Sequence, residues 1–345
     1  GNRTVYPTTD RSILVRVRTQ SGVVGWGETY GLIAPRATVE IIEDLLAPFT
    51  LGRDARDPAV IHDDLRDLMR VRGATGGFYG DALAAIDIAI WDAASRAAGL
   101  PLCRLLGGCR RDRIAAYFSG LPAPSLAQRV DLAAEWQARG FTFFKFAAAV
   151  SDEGERAELQ ALRERLGPTT RIGVDLHWRH TAGEALSLLA RLAPHDPFFA
   201  EAPVASDDIA ALRTVAARSP VPIAAGEEWY ARSDAAARLP GLAIVQPEMG
   251  HTGVTEFMRI AELAEAQGAT VMPHATVGLG IFLAASLHAA AALRSATLHE
   301  YQQSIFDRNV GFLEGDLRLE GTEYVVPAGP GIGVIPAKGV WRHAG

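Results

Sequence analysis

The sequence predicts an α/β fold: a TIM-type (β/α) barrel with an α+β capping domain at its N-terminal side. Three observations predict it. From about residue 113, short β-rich runs alternate with alanine- and leucine-rich segments of helical period. Eight such strands and seven such helices occur, and eight is the number of parallel strands that closes a barrel. Residues 1–112 lack that rhythm and open instead on an antiparallel pattern.

In chain order, SILVRVRT and VVGWGE, parted by Gln20-Ser21-Gly22, read as a hairpin, and DALAAIDIAIWDAASRAAG reads as a helix. The barrel strands are RIAAYFS, FTFFKFA, TRIGVDLH, DPFFAEA, VPIAAGE, LAIVQPE, ATVMPH and ATLHE. Helices are expected over 125–139, 153–166, 181–193, 206–218, 232–239, 253–267 and 279–293. The tail from about 311 is rich in glycine and proline (PAGPGIGVIPAKG) and is expected to fold back on the first lobe. Its GPGIG is a poor phosphate loop, because no helix follows it. The expected domains are thus 1–112 completed by 311–345, and a barrel over 113–310.

Composition narrows the function. At 345 residues and 48% apolar, the chain can bury a large core, and a net charge of −6 without a basic stripe argues against nucleic acid. The longest apolar stretch, 278–293, is too short to span a bilayer and is broken by His288, so no membrane partner is expected. Cys103 and Cys109 offer neither metal spacing nor a disulfide framework. With no signal-peptide pattern, this suggests a reducing cytoplasm.

Lysine use is selective. Of 34 basic residues only Lys145 and Lys338 are lysines, and Lys145 sits inside the apolar strand FTFFKFA, where a charge is costly. A compact ammonium kept there suggests a specific task.

Lys145 is the first of a series. Lys145, Asp175, Glu201, Glu227, Glu248, His274 and Glu300 each lie at or near the end of successive candidate strands, at spacings of 30, 26, 26, 21, 26 and 26 residues. Barrel enzymes assemble their sites at that face. Asp175, Glu201 and Glu227, on three adjacent strands, would repel one another strongly unless a cation sat among them. All-oxygen ligation favours Mg²⁺ over zinc. Glu248 and His274 could pair, the carboxylate fixing the tautomer of an imidazole base, with Lys145 opposite to hold developing negative charge. Asp175 and His177 are two apart, so on a strand they share a face.

The stretches VDLHW, FFAEAPV, AAGEEWY, VQPEMGHTGVTEF, VMPHATVGLG and HEYQ resemble the enolase superfamily, and within it the mandelate racemase-like subgroup. IAIWDAASRAAGLPLCRLLGG and PAGPGIGV resemble the capping-domain and tail signatures of the same family, so the likeness covers nearly the whole chain. The resemblance implies Mg²⁺ on Asp175, Glu201 and Glu227, a base at His274 oriented by Glu248, and a substrate contact at Glu300. It implies a loop around Val23–Tyr30 that closes over the substrate, and assembly as a homo-oligomer between dimer and octamer.

Two departures carry information. Racemases of that family carry Lys-x-Lys on the second strand, whereas this chain has Lys145-Phe146-Ala147, which removes the base on that face. Glu248 stands where the family usually has aspartate, a carboxylate moved by about one C–C bond, ~1.5 Å. The Asp175-x-His177 pattern is similar to sugar-acid dehydratases of the subgroup, of the galactonate dehydratase kind, in which that histidine protonates the departing 3-hydroxyl. His180 is expected in a surface loop and Trp178 as a wall of the pocket.

The leading expectation is an Mg²⁺-dependent dehydratase that converts a sugar acid (aldonate or aldarate) to a 2-keto-3-deoxy acid. The alternatives are an epimerase, racemase or lactone cycloisomerase on a related acid, and a non-catalytic acid-sugar binding protein.

Overall fold

The computed structural model describes residues 10–342 apart from Ala74, Asp152, Thr276 and Val277, so the extreme ends of the expected capping domain lie outside the described residues.

The first lobe opens with β1 (Ser12–Arg18) and β2 (Val24–Tyr30), an antiparallel ladder closed by a turn in which Val23 N–H donates to Thr19 Oγ1 at 3.0 Å. Helices α1 (Pro35–Glu40) and α2 (Ala47–Thr50) flank a π-helical turn, Ile41–Leu46, and α3 (Pro58–Arg70) follows. The 21-residue α4 (Gly77–Ala97) is apolar nearly all round, the mark of a helix covered on every side. Beta-strand β2 lies directly on it. A Cβ at Gly25 or Gly27 would strike the carbonyl oxygens of Ala89 or Ala85, so only glycine admits this approach. The hairpin read from SILVRVRT and VVGWGE is present, and it corrects the loop around Val23–Tyr30 implied by the resemblance: Val24–Tyr30, seven consecutive residues, pair with β1.

After α5 (Leu102–Leu105) comes the barrel. Its strands are β3 (Arg113–Ser119), β4 (Phe143–Ala147), β5 (Arg171–Asp175), β6 (Phe199–Glu201), β7 (Ile223–Ala225), β8 (Ile244–Val245), β9 (Thr270–Val271) and β10 (Leu298–Tyr301). They pair in parallel in sequence order, and β10 returns to β3 with Leu298 opposite Ala115. The Glu300 N–H to Pro273 carbonyl contact, 3.4 Å, joins the last two. Outside lie α6 (Leu126–Ala138), α7 (Glu155–Leu166), α8 (Ala182–Leu192), α9 (Ile209–Arg218), α10 (Arg232–Arg238), α11 (Met249–Ala266) and α12 (Ile281–Ala292). Tyr117, Phe143, Phe199, Ala224, Ile244 and Met272 fill the bore, so the barrel is a packed core with its mouth at one end.

Beyond α13 (Gln303–Asn309) the tail forms β11 (Leu313–Gly315), β12 (Arg318–Glu320), β13 (Glu323–Val325) and β14 (Val334–Pro336). It reaches the first lobe: the Asp92 carboxylate of α4 accepts from Trp26 N–H and Ile332 N–H, both at 2.8 Å. It also extends the barrel sheet, because β13 runs antiparallel along β3.

A second expectation is corrected at the end of α5. Cys103 and Cys109 are joined as a disulfide, with Cα atoms 5.1 Å apart. Gly107 and Gly108, both at positive φ, reverse the chain between them, a geometry that a count of cysteines does not reveal. Cysteine usage therefore gives no support to a reducing compartment. No helix among the described residues is long and apolar enough to cross a membrane.

Candidate active site

The barrel mouth collects the predicted residues. Lys145 lies within β4, Asp175 and Glu201 end β5 and β6, and Glu227 stands two residues past β7. Asp175 and Glu201 are direct register partners. Glu248 and His274 face each other across a bridge beyond β8 and β9, and Glu300 lies within β10. All seven are buried, from 0% exposed at Glu201 to 9% at Glu227.

Burying this many ionisable groups is costly unless they are paired. Lys145 Nζ donates to Glu201 Oε1 at 2.8 Å and Oε2 at 3.0 Å, and lies 2.9 Å from Glu300 Oε1. Burial alone would lower this ammonium; Glu201 and Glu300 outweigh it and keep it charged. His274 Nδ1 lies 2.8 Å from Glu248 Oε2, whose Oε1 accepts from Gly250 N–H at 2.9 Å. The ring's Nε2 meets Glu227 Oε2 at 2.6 Å. Burial works against an imidazolium here, but the carboxylates of Glu227, Glu300 and Glu248 raise His274 well above the ordinary range.

His177 reaches Asp175 through a turn. The strand ends at Asp175, and His177 and Trp178 both sit in the left-handed region, at φ 50° and 52°. Consecutive non-glycine residues there cost roughly 1–3 kcal/mol each, and such strain gathers at functional sites. Trp178 N–H anchors the turn on the Ala202 carbonyl at 2.7 Å. The result places His177 Nδ1 2.7 Å from Asp175 Oδ2. Hence the shared strand face expected for the pair is replaced by a backbone turn that folds the ring back onto the acid. Trp178 is half-buried beside His177, with ring centroids 5.9 Å apart. His180 is not a plain surface residue: it bridges to Val204, and its Nε2 is buried without a hydrogen-bond partner.

Of the expected metal triad, Glu201 and Glu227 converge, and with His274 they offer ligand atoms all within 4.8 Å of one another. The Asp175 carboxylate is turned toward His177, its Oδ1 accepting from the His177 N–H at 2.9 Å. Burial pushes the Glu201 carboxyl up; Lys145 opposes this, and Asp175, Glu227 and Glu300 add to it. Among the described residues five buried carboxylates face one ammonium and two imidazoles, so with every group charged the mouth lacks two positive charges. The donor set therefore fits a hard divalent cation.

Two further residues contribute to the site without a sequence expectation. Gln246 Nε2 donates to Glu201 Oε2 at 2.6 Å from a side chain that is fully buried. Its signal was available in VQPE, a polar residue two before Glu248 and so on the same strand face. His251 Nδ1 lies 2.6 Å from Asp81 Oδ1 of α4, and its ring stacks on Tyr30 of β2 at 4.4 Å.

A closed parallel barrel, a capping lobe on its mouth and an acid cluster flanked by imidazoles define an enolase-type barrel enzyme. Residues 4–107 match the N-terminal domain of the mandelate racemase/muconate lactonizing enzyme family, and 128–339 match its enolase C-terminal domain-like partner; the chain belongs to that family, within the enolase superfamily. An open-loop crystal structure from Sinorhizobium meliloti, provisionally assigned as an isomerase, is 61% identical over 99% of this chain and 92% of its own, with a TM-score of 0.97. A superfamily member from Agrobacterium tumefaciens is 54% identical over 99% of this chain and 88% of its own, also with a TM-score of 0.97. D-galactonate dehydratase from Ralstonia nicotianae is 34% identical, covering 99% of this chain and 97% of the relative.

Proposed function

We propose that the chain is an Mg²⁺-dependent dehydratase of a sugar acid, an aldonate or aldarate, giving a 2-keto-3-deoxy acid. One observation carries the reading: two imidazoles sit on two different carboxylates of the acid cluster, His274 on Glu227 and His177 on Asp175. The cluster thus holds one group to take a proton and another to give one. The likeness to D-galactonate dehydratases along nearly the whole chain supports it.

Asp175, Glu201 and Glu227 would hold the Mg²⁺, which when bound supplies positive charge to the substrate's carboxylate. Glu248 occupies His274 Nδ1, so Nε2 is the atom that takes the α-proton. The electron pair of that C–H bond first delocalises into the substrate's carboxylate, then forms the C2=C3 double bond as the C3–O bond breaks. His177 gives its proton to the departing hydroxyl, which leaves as water, and the enol tautomerises to the ketone. Lys145, bridging Glu201 and Glu300, is an ammonium placed to offset the negative charge that builds on the carboxylate. On β4, Ala147 stands beside Asp175 in register, so no lysine base is present on that strand's end. Single-base elimination is therefore favoured over two-base racemisation.

The isomerase assignment of the Sinorhizobium meliloti relative favours a second reading, cycloisomerisation or epimerisation at the same base. Turnover of a panel of aldonic and aldaric acids with Mg²⁺, D-galactonate among them, separates the two. The expected product is a semicarbazide-reactive keto acid. An epimer or a ring-opened or ring-closed isomer without a ketone would contradict the dehydratase reading.

A further inference from the structure

Three consecutive residues at the end of β2 grip the two segments that carry the Glu248–His274 dyad. Glu28, fully buried, accepts from the backbone N–H groups of Leu279, Gly280, Ile281 and Phe282, at 3.2, 2.8 and 3.1 Å for the last three. These residues open α12, five to eight positions after His274. Thr29, also fully buried, donates its hydroxyl to the Gly250 carbonyl at 2.6 Å. Tyr30 stacks on His251 and on Phe282, with centroids 4.4 and 5.6 Å away, and its ring fills the space a side chain at Gly250 would need.

Gly250 is the junction. Its carbonyl accepts a hydrogen bond from the Thr29 hydroxyl, and its N–H donates to Glu248 Oε1 at 2.9 Å; Glu248 Oε2 in turn lies 2.8 Å from His274 Nδ1. A continuous hydrogen-bonded path therefore runs from the capping strand to the imidazole. Ladder pairing with β1 across Ser12–Arg18 and glycine-tight packing on α4 make β2 a rigid mount. Groups that orient a catalytic side chain from behind characteristically change activity by on the order of 10- to 100-fold.

We infer that Thr29 is a positioning residue, which through Gly250 sets the carboxylate of Glu248 and hence the ring of His274, with Glu28 holding the other side of the same clamp. This inference rests on the dyad acting as the base. The capping lobe would then govern the acid–base geometry as well as covering the site.

The test compares Thr29→Val, which keeps the shape and deletes the hydroxyl, with Thr29→Ser, which keeps the hydroxyl. D-galactonate, or the fastest acid of the panel above, is the substrate, and backbone hydrogen exchange is followed over residues 249–252. Thr29→Val should lower kcat on the order of 10- to 100-fold with KM within about twofold, and should speed exchange at Gly250–Thr252. Thr29→Ser should recover most of kcat. Wild-type kcat in Thr29→Val, or equal impairment in the serine variant, overturns the inference. Should Thr29→Val fail to fold, Glu28→Gln replaces it, with the same kcat loss expected and exchange read over 279–282. Assaying His274→Asn in parallel separates the two ideas. If that variant stays active the base assignment falls, and the clamp is then judged by exchange alone, with unchanged exchange in Thr29→Val overturning it.

Discussion

His274 Nε2 lies 2.6 Å from Glu227 Oε2, so one carboxylate pairs with the proposed base and also belongs to the acid cluster. Glu227 cannot serve a protonated ring and a divalent cation equally well. Burial opposes the charged ring and the surrounding carboxylates raise its pKa, so a cation that neutralises Glu227 should lower that pKa again. Mg²⁺ uptake is therefore expected to release protons, and affinity should fall as pH drops. Calorimetry in two buffers of different ionisation enthalpy reads the release directly; binding with no proton exchanged at any pH would count against the shared role of Glu227.

Lys145 is the one cation bridging Glu201 and Glu300 among the described contacts. Lys145→Met leaves both acids buried without their ammonium, a loss that for a buried pair runs at roughly 3–5 kcal/mol. Denaturant unfolding should show a drop of that order together with loss of turnover. Lys145→Arg should not restore activity, since a planar guanidinium does not replace a point charge. Full activity in the arginine variant would contradict the electrostatic role.

In the proposed reaction His274 takes the α-proton and His177 protonates the leaving group. His177→Asn should keep α-proton exchange with solvent deuterium while keto-acid formation falls, by about 10²-fold or more. Parallel loss of exchange and product would show that His177 does more than protonate the leaving group.

Two buried histidines outside the mouth set an acid limit on stability. Burial lowers His288 and His299 to about 4 from an ordinary 6.5. Between those values the unfolded chain binds protons that the folded chain refuses. The stabilisation is therefore complete above about pH 6.5 and is lost as pH falls toward 4, on the order of 3 kcal/mol per ring when fully developed. The urea midpoint should drop between pH 7 and 4.5, and His288→Gln should flatten that drop. An identical pH slope in the variant would contradict it.

The barrel and the positions of the seven mouth residues were legible because strand parity and the repeat of one βα unit are local properties. Lys145 stood out because a charge in an apolar strand has few bland explanations. Which groups touch was not legible. His177 turns onto Asp175 only because two successive residues adopt left-handed backbone, which no pattern of residue types in VDLHW announces. The contact from Thr29 to Gly250 spans 221 positions and depends on how the capping lobe docks, a relationship between elements that neither contains alone. The strand over Val24–Tyr30 was legible as half of a hairpin, but why it carries two glycines was not: they let α4 approach, a contact between elements.

The proposed removal of the α-proton by His274 is tested most directly by following exchange of that proton in D₂O with the acid that turns over. Wild-type enzyme with Mg²⁺ should exchange the proton and form the keto acid, and His274→Asn, folded and still binding Mg²⁺, should lose exchange by about 10²- to 10⁴-fold. Exchange at the wild-type rate in His274→Asn would contradict the assignment.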